Sequence, residues 1–188
     1  MPDFIQNIDE KLLFFIQDHF HNGILDKVMP LVTDLGNWGF LWLTVSIILI
    51  ISKKYRKIGL MAMASFLLSF LLSENVIKYI VQRPRPFVLF DQYKLLIPKP
   101  SNFSFPSSHS TEAFATAAIL FKKSKVTGIV FLVIAALIAF SRLYLFVHFP
   151  SDVLGGIITG LICAFIVNYT AKHIYKNKAP VENTDNKM

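Results

Sequence analysis

The chain has 188 residues, of which 54% are hydrophobic, and its mean hydropathy is +0.52. That hydropathy excludes an ordinary soluble domain of this length, because several apolar runs approach the ~20 residues needed to cross a bilayer. The formal net charge of +7 falls mostly in short loops between those runs, a placement typical of membrane orientation, so we expect no nucleic-acid partner.

The N-terminal residues 1–36 have amphipathic patterns. Residues 4–20 place phenylalanine, isoleucine and leucine at helical spacing, whereas charged residues, among them Asp9 and Asp18, lie mostly elsewhere around the helix. A second, shorter amphipathic piece at 24–35 is interrupted by proline. We therefore expect an interfacial segment that lies on the membrane and does not cross it.

Five apolar runs follow this segment, and each is a candidate membrane span. They cover residues 38–51, 58–81, 108–121, 126–146 and 153–171. The sequence therefore predicts an all-α integral-membrane helical bundle with five to six spans and an N-terminal amphipathic helix. A single domain is expected over 1–175, followed by a polar tail over 176–188.

The charges between the runs predict the orientation of the bundle. Basic clusters at 52–57 and 122–125, together with three lysines after the fifth run, all fall on one side. The positive-inside rule makes that side cytoplasmic, including the tail over 176–188. The long proline-rich connection over 82–107 is then extracytoplasmic, and we expect it to form a lid or a wall of a site.

A second basic set remains on the extracytoplasmic side, at Lys78, Arg83, Arg85 and Arg142. Positive charge retained there needs a reason other than orientation, and binding of an anion supplies one. The guanidinium fork suits phosphate oxygens, and Ser107 adds a hydroxyl. These residues are candidate phosphate ligands.

Two histidines lie in the same outer segments. His109 stands at the start of the third run, where backbone N–H groups point at a bound anion. His148 is followed four residues later by Asp152, whose carboxylate can hold the imidazole in one tautomer. The two histidines can supply one nucleophile and one proton donor. No second carboxylate cluster is present, so we expect no metal site.

Glu74 lies inside the second run, four residues before Lys78. A carboxylate within a membrane span is costly and is usually paired. The spacing therefore predicts an ion pair between Glu74 and Lys78 that positions the lysine.

Three sequence patterns on the outer side occur in a fixed order: Lys-x6-Arg-Pro, Pro-Ser-x-His and Ser-Arg-x5-His-x3-Asp. Together they resemble the type 2 phosphatidic acid phosphatase superfamily. That family includes bacterial undecaprenyl-diphosphate phosphatases, phosphatidylglycerophosphate phosphatases and, more distantly, vanadium haloperoxidases. The matching residues are Lys78, Arg85, Pro86, Pro106, Ser107, His109, Ser141, Arg142, His148 and Asp152.

One departure from the family pattern is Ser108, where the family most often has glycine. Serine is small and keeps its N–H group, so we expect it to fit and to add a hydroxyl near the phosphate. Arg83 also precedes a proline, but only Arg85 has the family's spacing from Lys78, so Arg83 is treated as auxiliary.

The resemblance implies a role for each matched residue. His148 would attack phosphorus and form a phosphohistidine, Asp152 would orient it, and His109 would protonate the leaving oxygen and then activate water. The phosphate oxygens would be neutralised by the cationic and hydroxyl residues Lys78, Arg85, Ser107, Ser108 and Arg142.

The implied protein is a multi-pass enzyme of the cell membrane with an extracytoplasmic site and without metal or cofactor. Its expected substrate is undecaprenyl diphosphate, which would be hydrolysed to undecaprenyl phosphate. Phosphatidylglycerophosphate or phosphatidic acid is the alternative within the class. From another class, the alternative is a non-catalytic lipid-binding membrane protein. The sequence leaves the oligomeric state open.

Overall fold

The computed structural model describes residues 2–122 and 124–176, and every regular element in that part of the chain is helical. The α-helices are α1 Asp3–Phe20, α2 Leu25–Asp34, α3 Phe40–Ile51, α4 Arg56–Leu72, α5 Lys78–Val81, α6 Pro86–Leu89, α7 Ser108–Phe121, α8 Lys125–Tyr144 and α9 Pro150–Lys176. A short 3₁₀ turn, Asn37–Gly39, joins α2 to α3, and a π-helical turn, Ser73–Ile77, joins α4 to α5. The predicted tail lies outside the described residues from residue 177 onward.

Helix α7 is the centre of the bundle and packs against α4, α8 and α9. Its buried face consists largely of alanine, serine and threonine, which allow neighbouring backbones to approach closely. Gly156 and Gly160 on α9 permit this approach. A Cβ atom at Gly156 would lie 2.6 Å from the carbonyl oxygen of Ser107, and one at Gly160 would lie 2.4 Å from that of Thr111.

Within the described residues, three helical stretches are long and apolar enough to cross a membrane: Arg56–Leu89, Lys125–Tyr144 and Pro150–Ile174. A fourth is possible if Leu25–Asp34 and Asn37–Ile51, which are bent by 49°, form one broken span. The predicted count of five to six spans is therefore not confirmed.

Two features account for this lower count. Helix α7 has 14 residues, which corresponds to about 21 Å at ~1.5 Å per residue, short of the ~30 Å hydrocarbon layer. The piece predicted to be interfacial at 24–35 becomes α2, which is joined to α3 by the bend. The helix predicted over 4–20 is present as α1, and its residues Asp9 and Leu13 are buried against the bundle.

The connection over 82–107 folds back over one end of the bundle. The backbone N–H of Ser104 donates to the carbonyl oxygen of Arg83 at 2.8 Å, which ties the two ends of the loop together. Aromatic side chains fix its middle, where the Tyr93 ring lies 4.4 Å from that of Phe146 and 5.8 Å from that of Phe14. The loop therefore forms a wall at this end.

The close contact between α7 and α9 predicts the effect of a small substitution. Gly160→Ala would place a methyl group against the backbone of Thr111, which cannot move without separating the helices. We expect a loss of about 1–3 kcal/mol in the free energy of unfolding, measured in detergent micelles. Gly23→Ala is the matched control because a Cβ there meets nothing within 4 Å. Equal stabilities for the two variants would contradict this packing.

Candidate active site

A polar cavity of about 290 Å³ lies at the end of the bundle that the connection covers. Its lining includes six of the predicted site residues: Lys78, Arg85, Ser108, His109, Arg142 and His148. Glu74 also lines it, together with residues that the sequence did not single out, such as Thr33, Asn37 and Asn102. The three sequence motifs, which are far apart in the chain, therefore converge on one cavity.

His148 lies in the short connection between α8 and α9 and is buried. Arg85 donates from Nη1 to Nε2 of His148 at 3.0 Å and to the carbonyl oxygen of Val147 at 2.7 Å. A guanidinium group can only donate, so Nε2 is the unprotonated ring nitrogen and Nδ1 carries the proton. The lone pair of Nε2 thus accepts from Arg85, which lines the cavity together with His148.

The hydroxyl of Ser104 lies between Nδ1 of His148 and the carboxylate of Asp152. The distance from Nδ1 to Oδ2 of Asp152 is 3.7 Å, which is longer than a hydrogen bond, and Oγ of Ser104 lies 3.4 Å from Nδ1. Ser104 in turn donates to Oδ2 of Asp152 at 2.5 Å. The carboxylate was expected to hold the imidazole, and the hydroxyl of Ser104 bridges the two.

Asp152 is fully buried and accepts three further hydrogen bonds. Its Oδ2 accepts the backbone N–H of Phe149 at 2.8 Å, and its Oδ1 accepts from Nη1 of Arg83 at 2.6 Å. Its own carbonyl oxygen accepts the backbone N–H of Ser107 at 3.0 Å. These contacts join the start of α9 to the start of α7.

Arg83, predicted as an auxiliary residue, does not line the cavity. It is 4% exposed, pairs with both Asp152 and Asp9 at 2.6 Å, and lies over the ring of Phe149 at 4.0 Å. Its contacts are with Asp152 and the other groups behind His148.

The predicted ion pair between Glu74 and Lys78 is present, with 2.5 Å between Oε1 and Nζ. Glu74 also accepts from Nδ2 of Asn102 at 2.9 Å and from the hydroxyl of Ser108. Three donors that line the cavity therefore converge on this one carboxylate. The Ser108 hydroxyl, expected near phosphate, is bonded to Glu74 in this conformation.

His109 is positioned from outside its own helix. Its Nε2 lies 2.9 Å from Oδ1 of Asn37, so Nε2 carries a proton when the amide oxygen accepts. The backbone at Gly36 packs closely against the ring, since a Cβ atom there would lie 2.7 Å from Cδ2 of His109. The bend between α2 and α3 therefore fixes the second histidine.

The last two predicted phosphate ligands differ in position. Nη1 of Arg142 donates to the hydroxyl of Thr33 at 2.5 Å, and its buried Nε has no hydrogen-bond partner among the described residues. Ser107 does not line the cavity, because its hydroxyl caps α7 and accepts from Ser110. Its role in the structure is to begin the helix that carries His109.

Residues outside the three patterns complete the site. The sequence did not indicate Asp9, Thr33, Asn37, Asn102 or Ser104, since each is a common polar residue with no motif around it.

In residues 2–122 and 124–176, no three His, Cys, Asp or Glu side chains lie close enough to hold a metal ion.

Comparisons with known proteins show the family of the chain. The family model of the PAP2 superfamily matches residues 58–175. An undecaprenyl-diphosphatase of Sulfolobus acidocaldarius is 35% identical over 155 residues, covering 82% of this chain and 74% of that protein. Phosphatidylglycerophosphatase B of Bacillus subtilis is 36% identical over 156 residues, covering 76% and 73%.

A solved structure shows the same fold. The crystal structure of a transmembrane PAP2-type phosphatidylglycerolphosphate phosphatase from Bacillus subtilis superposes with a TM-score of 0.76 at 32% identity, covering 90% of this chain and 87% of that one. The chain therefore belongs to the PAP2 superfamily. Membrane lipid phosphatases are the class that these relatives and the cavity support.

The environment of His148 predicts how its ring titrates. Burial and the nearby charges of Arg85, Arg142 and Lys78 hold the pKa of His148 well below its usual range. The ring should therefore stay neutral as the pH falls through about 6.5, where an ordinary histidine gains its proton. Histidine ¹⁵N NMR of labelled protein in micelles measures this, with His148→Gln to assign the signal. Protonation of His148 near pH 6.5 would contradict the structure.

The contacts of Glu74 predict that its charge keeps Lys78 in place. Glu74→Gln leaves a buried ammonium group without its counter-charge, so we expect a loss of about 1–3 kcal/mol in unfolding free energy. An added anion should restore part of it. Vanadate should therefore raise the unfolding temperature of the variant more than that of the wild type. Glu10→Gln on α1 is the control, and equal behaviour of the two variants would refute the role of the pair.

Proposed function

We propose that this protein is an integral-membrane lipid phosphatase whose substrate is undecaprenyl diphosphate, which it hydrolyses to undecaprenyl phosphate and inorganic phosphate. The observation that carries the proposal is the unprotonated Nε2 of His148 at a cavity lined by Lys78, Arg85 and Arg142. A neutral imidazole among buried cations is an arrangement suited to attack on an anionic phosphorus.

The reaction proceeds in two displacements at phosphorus. In the first, Nε2 of His148 forms a bond to the terminal phosphorus while the bond from phosphorus to the bridging oxygen breaks, and His109 gives its proton to that oxygen. In the second, His109 takes a proton from water, whose oxygen attacks the phosphohistidine. The bond to His148 breaks and inorganic phosphate leaves.

The positive charge that develops on His148 is offset from behind. Its Nδ1–H faces Ser104 and Asp152, whose buried carboxylate stabilises the cationic ring of the intermediate. In front, Lys78, Arg85 and Arg142 neutralise the equatorial oxygens. The unpartnered Nε of Arg142 is a donor for one of them. Lys78 and Ser108 turn from Glu74 toward the phosphate when it enters.

A second cavity, of about 660 Å³, is suited to the apolar part of the substrate. It shares Asn37, Glu74 and His109 with the polar cavity and continues along apolar side chains that include Leu67 and Phe70. Both of these are exposed and face away from the core. A lipid can therefore place its phosphate at His148 while its tail remains between the helices and the bilayer.

Similar proteins support two candidate substrate classes. Phosphatidylglycerophosphate or phosphatidic acid is favoured by the similarity to the Bacillus subtilis phosphatidylglycerophosphatase. The undecaprenyl substrate is favoured by the similarity to the Sulfolobus acidocaldarius protein. A non-catalytic lipid-binding protein is disfavoured, because binding needs only the cations and not an imidazole backed by a carboxylate.

In the membrane we place the catalytic end on the extracytoplasmic side of the cell membrane, in a multi-pass chain. The short α7, about 21 Å long, then holds His109 at headgroup level. With α7 and the bent α2–α3 pair counted as spans and α1 at the interface, the bundle reaches the five predicted spans. Neither metal nor cofactor takes part.

The test is phosphate release by the purified protein in EDTA from a panel of lipid phosphates. We expect the highest kcat/KM with undecaprenyl diphosphate, inhibition by vanadate, and a fall in kcat of roughly 10³-fold or more for His148→Ala. His173→Ala, an exposed histidine on α9, is the matched control. Activity that disappears in EDTA, or a folded His148→Ala enzyme that keeps its kcat, would overturn the mechanism.

A further inference from the structure

Helix α1 precedes the region that the family model matches, yet its residue Asp9 is connected through Arg83 and Ser151 to Asp152, the carboxylate behind His148. Asp9 is 2% exposed. Its Oδ1 accepts the backbone N–H of Ser151 at 2.8 Å, and its Oδ2 accepts from the Ser151 hydroxyl at 2.5 Å and from Nη2 of Arg83 at 2.6 Å. Ser151 is the residue before Asp152. Asp9 therefore binds both the start of α9, at Ser151, and the arginine that pairs with Asp152.

The two ends of the Arg83 guanidinium group have different partners. Nη1 donates to Oδ1 of Asp152 at 2.6 Å and to the hydroxyl of Ser151 at 2.8 Å. Nη2 donates to Oδ2 of Asp9 at 2.6 Å and to Oε1 of Gln6 at 2.7 Å. Only one nitrogen of the fork therefore contacts Asp152. The other oxygen of that carboxylate, Oδ2, is left for Ser104 and faces His148.

Removal of the Asp9 charge would change how Arg83 binds. Guanidinium and carboxylate groups favour a bidentate pair with two parallel hydrogen bonds. Without the Asp9 charge, Nη2 keeps only the neutral amide oxygen of Gln6 as a strong acceptor, so Arg83 can turn to engage both oxygens of Asp152 and draw Oδ2 away from Ser104. The Nδ1–H group of His148 would then lose its contact through Ser104 to Asp152, and Arg85 alone would orient the ring.

Loss of the Asp9 charge would also weaken the electrostatic stabilisation of a cationic His148 ring. Arg83 lies between two carboxylates, so the three groups carry a net negative charge behind His148. That charge stabilises the cationic ring of the phosphohistidine, and it is absent when Asp9 is neutral. The phosphate ligands Lys78, Arg85 and Arg142 make no contact with Asp9 in the hydrogen bonds of this network.

We propose that Asp9 is a positioning residue of the phosphatase: it holds Arg83 in a one-ended contact with Asp152 and so keeps His148 oriented for attack. This inference rests on the proposed role of His148 as the nucleophile. Because substrate contacts are unchanged, Asp9 acts on kcat and not on KM.

The experiment compares Asp9→Asn with Asp18→Asn, an exposed aspartate on the same helix. We expect kcat to fall about 10- to 100-fold for Asp9→Asn, the size typical of residues that orient a catalytic group through another, with KM changed less than about twofold. Asp18→Asn should match the wild type. A folded Asp9→Asn enzyme with wild-type kcat, or one changed only in KM, would overturn the proposal.

A double-mutant cycle separates positioning from general destabilisation. If Asp9 acts through Asp152, then Asp9→Asn should lower kcat by less than about twofold in the Asp152→Asn background, since residues that act as a unit are not additive. Additive losses would contradict the proposal. Should Asp9→Asn alone not fold, it is made in the Arg83→Gln background, where no guanidinium can draw Oδ2 of Asp152 away from Ser104. Asp9→Asn should then change kcat by less than about twofold relative to Arg83→Gln, and a further loss of about 10-fold would overturn the proposal.

A readout without turnover distinguishes this proposal from the proposed function. ¹H–¹⁵N NMR of the His148 imidazole reports the hydrogen bond of its Nδ1–H group. We expect the Nδ1–H proton signal to move upfield in Asp9→Asn, because the contact through Ser104 to Asp152 weakens, while Arg85 keeps Nε2 unprotonated. If the wild type releases no phosphate from any lipid but this signal still shifts, the proposed function fails and the positioning role stands. An unchanged Nδ1–H signal in Asp9→Asn refutes the positioning role.

Discussion

Four cations are buried at one end of the bundle, and their need for partners determines how the site is built. Lys78, Arg83, Arg85 and Arg142 are each between 2% and 4% exposed. A buried charge is tolerated only when it is paired or hydrogen-bonded. Carboxylates compensate the first two, backbone and imidazole groups accept from Arg85, and Arg142 keeps an unpartnered Nε. Arg83 is thus held between two carboxylates away from the cavity, whereas Lys78, Arg85 and Arg142 line it.

This division explains why the two arginines of the first motif differ. Arg85 donates to His148 and lines the cavity, so it lies where the proposed mechanism needs a phosphate ligand. Arg83 lies behind His148 between two carboxylates. Glu74 accepts from a third set of donors, Lys78, Asn102 and Ser108. Donors arranged in advance need little reorganisation when charge develops at phosphorus.

The motif residues could be predicted from the sequence, and the structure brings five of them, together with Ser108, to one cavity. The Glu74–Lys78 pair was also predictable, because it depends only on helical spacing. Asp9, Asn37 and Ser104 were not, since each contact joins residues far apart in the chain. Asp9 in particular was placed on the polar face of an interfacial helix, whereas it is buried against Arg83. Helix positions followed the apolar runs closely, but the span count did not, because hydropathy alone cannot distinguish a short central helix or a bent pair from a full span.

The central claim is that phosphorus is transferred to Nε2 of His148. It is tested most directly by mixing the purified protein with lipid diphosphate labelled with ³²P at the terminal phosphate, stopping the reaction in alkali within the first turnover, and mapping the label on the protein. The account predicts an alkali-stable, acid-labile label on the peptide that contains His148, which is absent from His148→Ala and accumulates when His109 is replaced by glutamine. Release of labelled phosphate with no label on the protein at any time, or a label on another residue, would contradict it.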